Sequence, residues 1–199
     1  APCGTPCKII NAIGKLERIY RDFRLCVGLG FCLWFALSVK IITILPDVDI
    51  TDLARIVSLI SESKIWLIVT ALGLVFLVGT LISWGRLQCR IWHVIPREDR
   101  PLSPFLAGFL TGVPVISAVA NFWTVIRLSR ALTLQERREA VVAPRPSQAL
   151  AWVFCIFTVL VMSPLFPLLV MVFFFVVWVA LARQQKEAAT VILHQRLLE

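Results

Sequence analysis

Residues 65–84 read IWLIVTALGLVFLVGTLISW, with no charged side chain. As an α-helix at about 1.5 Å per residue, this stretch covers about 30 Å, the thickness of a bilayer's hydrocarbon core. Residues 25–45, LCVGLGFCLWFALSVKIITIL, are of nearly equal length. Their single charge, Lys40, lies near the far end, where its long stem can snorkel outward. These two stretches are the expected full transmembrane helices.

The rest of the chain agrees in composition. Of 199 residues, 59% are hydrophobic, and the mean hydropathy is +0.86. Soluble domains sit at about 45–50% apolar, so a soluble fold of this length would expose the excess. The net charge is +8, with Lys and Arg gathered in stretches that flank the apolar segments. That placement suits anionic lipid headgroups and membrane topology, and no nucleic-acid partner is expected.

Upstream of the first span, residues 8–24 read KIINAIGKLERIYRDFR. Ile9, Ile13, Leu16, Tyr20 and Phe23 recur at helical spacing among five Lys and Arg. Residues 1–24 are therefore expected as a basic amphipathic segment lying in the membrane interface. Residues 25–199 are expected as one membrane domain. Ala1 fits removal of an initiator Met or a chain edge. Residues 25–45 lack a small-residue cleavage site and read as a retained signal anchor.

Residues 46–64 carry Asp47, Asp49, Asp52 and Glu62 against only Arg55 and Lys64. By the positive-inside rule, this acidic loop is outside and the N-terminus is cytoplasmic. Residues 85–101, with Arg86, Arg90, Arg97 and Arg100, return to the cytoplasmic side.

The third apolar stretch, 105–126, has basic flanks on both sides and Pro114 near its middle. Proline removes a helix donor and breaks the ladder. A re-entrant hairpin turning near Val113 and Pro114 would keep both flanks inside, provided that its turn is buried or wet. The alternative is an ordinary span, which would make four crossings. The fourth stretch, 149–182, would measure about 50 Å as one helix, too long for the bilayer core. Pro164 and Pro167 break it into two arms. Residues 183–199 are expected as an amphipathic cytoplasmic tail. The expected fold is thus all-α: two full spans, two proline-broken hairpins and amphipathic helices at both ends.

Trp66, Trp84, Trp92, Trp123, Trp152 and Trp178 lie near segment ends and read as interfacial anchors. Trp34 does not fit that pattern and is expected between helices. Gly108 and Gly112 form a GxxxG, which permits close helix approach, and Asn121 can hydrogen-bond between helices.

Few residues offer chemistry. Cys3 and Cys7 make one C-x-x-x-C pair, short of the four ligands of a structural zinc site. All six cysteines are expected as free thiols, with lipidation open at the first two. His93 could ligate a haem or pigment; beside Trp92 it also suits a plain interfacial position. No cofactor is expected. The apolar segments contain no Asp or Glu, which disfavours a pump or antiporter acting alone. No nucleophilic triad spacing or phosphate-binding glycine loop is present.

The AGFL of residues 107–110, Pro114, the NFW of 121–123, residues 127–132, and the later pair with Cys155 and Pro164 resemble a group of uncharacterised bacterial multi-span membrane proteins. Some of that group carry an N-terminal zinc ribbon. The likeness covers about residues 80–190. The chain departs from the group in having one N-terminal cysteine pair and extra residues between Pro114 and Asn121. The resemblance implies the multi-span architecture only and transfers no activity to this chain; the expected location is a bacterial inner membrane.

The expectation is a non-enzymatic accessory or scaffold subunit of a larger membrane complex. Its expected partners are the bilayer, anionic headgroups, and other membrane subunits or further copies of itself. Both termini would be cytoplasmic. The alternatives are a small transporter or channel component, and a haem- or pigment-binding subunit of an energy-converting complex.

Overall fold

A computed structural model describes residues 5–44, 58, 63–139, 146–161 and 168–198. Most of the acidic loop, Cys3, Arg145, Pro164 and Pro167 lie outside the described residues.

Among the described residues the chain is helical and has no strand. In order come α1 (Thr5–Ile44), α2 (Lys64–Val94), a 3-10 turn (Arg97–Asp99), α3 (Pro104–Gly112), α4 (Pro114–Arg138), α5 (Gln148–Val161) and α6 (Leu168–Leu198). α1 and α2 are long and apolar enough to cross a membrane.

Four helices run past the expected segment ends. The amphipathic N-terminal stretch and the first apolar stretch are one 40-residue helix. No proline falls between Pro6 and Pro46 to interrupt its hydrogen-bond ladder. α2 continues from residue 84 to Val94, α4 from residue 126 to Arg138, and α6 from residue 182 to Leu198. Polar residues change which side chains face outward, but they leave the backbone bonds intact.

Chain contacts group the molecule into two compact units, Leu25–Thr80 and the combination of Ala1–Arg24 with Leu81–Glu199. In the first unit, halves of α1 and α2 form an antiparallel pair. Gly30 faces Phe76, Gly73 faces Trp34, and Gly79 faces Cys26. Missing side chains at these glycines let the helices approach. The Trp34 Nε1–H donates to the Gly73 carbonyl at 3.2 Å, so Trp34 does pack between helices.

The core of the second unit begins with an aromatic cluster. Phe23, Trp84, Phe154, Phe174 and Trp178 are all buried, with neighbouring ring centroids 5.3–5.9 Å apart. Leu16, Ile19, Tyr20 and Phe23 of α1 are buried too. The apolar face expected to lie in a membrane interface therefore packs on the protein itself, because the ring of Phe23 finds Trp84 and Trp178 there.

The same packing corrects part of the aromatic belt. Trp84, Trp92 and Trp178 are at most 5% exposed, too enclosed to anchor at a lipid surface. Trp123 and Trp152 are exposed; Trp66 is half-buried. Arg127 stacks over the Trp123 ring, 4.6 Å from its centroid.

α3 and α4 meet at Val113, whose φ of −90° and ψ of 119° are extended. Its N–H still donates to the Phe109 carbonyl at 3.2 Å, and its own carbonyl accepts from Ser117 N–H at 2.7 Å. Pro114 opens α4, a position where a missing N–H costs nothing. Ser103 caps α3 by accepting from Leu106 N–H. Ser147 does the same for α5, accepting from Leu150 N–H.

Candidate functional site

α2 and α3 pack antiparallel in the second unit. A Cβ on Gly85 would lie 2.6 Å from the Gly108 carbonyl oxygen, and one on Gly108 would meet the Gly85 oxygen and Cys89. A Cβ on Gly112 would lie 3.2 Å from the Leu81 oxygen. Both glycines of the GxxxG, on α3, thus pack against α2, and Gly85 answers them from α2.

Beside this contact lies a groove of about 660 Å³. Its walls are apolar along Leu81, Ile82, Phe109 and Val113; Arg86 and Arg90 line its other end, with Cys89 and His93. Phe105 and Phe109 are exposed. Burial pushes the Cys89 thiol above its ordinary value, only partly opposed by the charge of Arg90, so the thiolate needed for nucleophilic chemistry is disfavoured. His93 is exposed, and its Nδ1–H donates to the Cys89 carbonyl at 2.9 Å. That bond leaves Nε2 as its open nitrogen.

A buried polar bridge stands behind the groove. Gln88 Nε2 donates to Gln185 Oε1 at 2.8 Å. Gln185 Nε2 donates to Ser129 Oγ at 3.1 Å, and Ser129 Oγ donates to the Val125 carbonyl at 3.1 Å. All three residues are fully buried. They tie α2, α6 and α4 together one turn beyond the aromatic cluster. Sequence reasoning missed them: Gln88 and Gln185 lie in charged stretches that read as solvated, and only the α6 face Gln185, Ala188, Ala189 and Ile192 hints at burial.

The end of α2 is held by two arginines. Arg100 donates to the Ile95 and His93 carbonyls, and Arg196 donates to the Val94 carbonyl at 2.9 Å. Cations on the last carbonyls satisfy orphan acceptors and complement the helix dipole. Arg196 also pairs with Glu139 at 2.8 Å.

Other expected site residues stand apart from this groove. Asn121 is buried in α4, and its Oδ1 accepts no hydrogen bond among the described residues. Cys7 is disulfide-bonded. This corrects the free thiol expected there and removes Cys7 as a thiolate metal ligand. Cys26, Cys32, Cys89 and Cys155 are free. Among the described residues, no three His, Cys, Asp or Glu side chains gather as a metal set. No family model, curated protein or solved structure matches the chain.

Proposed function

We propose that this chain is an integral membrane protein that acts as a non-enzymatic accessory or scaffold subunit in a bacterial inner membrane. One observation carries the membrane part: the most apolar stretches of α1 and α2 are only 17% and 11% buried within the chain. A core helix of a soluble protein buries such a stretch. Here Leu29, Phe35, Val39, Leu67, Ile68 and Val75 face outward, and lipid is the solvent that stabilises that arrangement. The scaffold part is supported by helices cross-tied through aromatic and polar contacts.

Extraction of cell membranes with alkaline carbonate tests the first part: the protein stays in the pellet. Purification in mild detergent tests the second. A complex with stoichiometric membrane subunits or further copies is expected; a solitary monomer with no effect on any complex would sink the subunit reading. The helix break at Val113 favours a second reading, a small transporter component, since broken helices line substrate sites. Its test is solute flux in liposomes.

A further inference from the structure

Ile82, Arg86 and Arg90 follow one another at four-residue steps on one face of α2, about 6 Å apart along the axis. α3 runs the opposite way, with Gly112 beside Leu81 and Gly108 beside Gly85 and Cys89. The groove therefore has an apolar end at Ile82 and Val113 and a cationic end at Arg86 and Arg90. Neither arginine forms an ion pair among the described residues. His93 already spends Nδ1–H on the Cys89 carbonyl, so the two guanidiniums are the groove's main anion donors.

This charge pattern selects an occupant. A small soluble anion would use the arginines and leave the apolar wall unused. A neutral chain would use the wall and leave two cations unpaired. A phosphate joined to an acyl chain uses both. The groove's 660 Å³ falls within the range of about 300–1,000 Å³ usual for ligand sites. Arg86 and Arg90 are also the first charges after the apolar run 65–84, at headgroup depth if α2 spans. We propose that this groove binds one anionic glycerophospholipid, with its phosphate on Arg86 and Arg90 and an acyl chain along Ile82, Phe109 and Val113. The assignment rests on the membrane reading above.

The test is native mass spectrometry of the full chain in mild detergent, with phosphatidylglycerol and phosphatidylcholine of matched chains. Phosphatidylglycerol should be retained at one per protein, with phosphatidylcholine at least about tenfold weaker. R86Q/R90Q should lower phosphatidylglycerol binding to the phosphatidylcholine level at unchanged helix content. Inorganic phosphate should not displace the lipid. Equal retention of both lipids, unchanged binding by R86Q/R90Q, or displacement by phosphate alone overturns the proposal. A phosphatidylglycerol with a photoreactive acyl chain, used on the unaltered protein, guards against a variant that fails to fold. Cross-links at residues 81–93 and 105–113 support the site, and cross-links confined elsewhere overturn it. A protein that stays in the carbonate pellet yet shows no lipid preference loses only this proposal. Release by carbonate removes the membrane reading itself.

Discussion

Tyr20 is the chain's one tyrosine, and its ring is buried in the second unit. Lys186 Nζ lies 5.3 Å from the ring centroid and Arg24 lies 5.9 Å away on the same helix. Lys186 also reaches Glu17 at 3.3 Å. Burial raises the Tyr20 phenol above its ordinary value, the charges of Arg24 and Arg183 pulling the other way. Tyrosinate absorbance therefore reports one residue, and its titration midpoint should lie above the ordinary phenol value of about 10. The linkage has a definite sign. Stability tied to this group is full below the ordinary value and falls as pH rises through the raised one, because the unfolded chain releases its proton first. A midpoint at or below the free phenol's would contradict the burial.

At the scale of elements, the helices are held by features with very different visibility in the sequence. The apolar runs of α1 and α2 are plain, because burial in any apolar medium demands the same side chains. The break at Val113 was foreseeable from Pro114. The bridge of Gln88, Gln185 and Ser129 was not, since glutamine among arginines and lysines reads as exposed until a neighbouring helix covers it. It gives a sharp prediction. Q88L leaves Gln185 Oε1 buried without its donor, at a cost of about 1–3 kcal/mol. The double variant Q88L/Q185L removes both partners, while Ser129 keeps its bond to the Val125 carbonyl. It should recover much of that loss, read as the unfolding midpoint in detergent. A double variant as unstable as the sum of its singles would mean that the two side chains do not interact.

For the molecule as a whole, topology is the property that decides what the groove and the exposed helix faces can meet. On the topology expected from the Lys and Arg distribution, residues 127–139 are cytoplasmic and the 105–126 region re-enters; an ordinary span would put them outside. Cysteines engineered at exposed positions such as Leu134 should resist an impermeant maleimide in intact cells and react after permeabilisation, above the background of the free native thiols. Labelling in intact cells would make the 105–126 region a full span. The disulfide at Cys7 pulls the other way for the N-terminus, since such bonds persist in oxidising compartments. The same labelling, applied near residue 8, reads that side as well. By itself the sequence determined the helical class and the two stretches able to span a membrane, because length and apolarity are local properties that any partner must respect. Only the tertiary structure decided that Trp84, Trp92 and Trp178 are core residues and that Gly85 answers Gly108 and Gly112. It alone placed Arg86 and Arg90 beside an apolar groove, since each of these depends on which helix face lies against which. Close packing between distant segments sets that pairing, and no run of neighbouring residues encodes it.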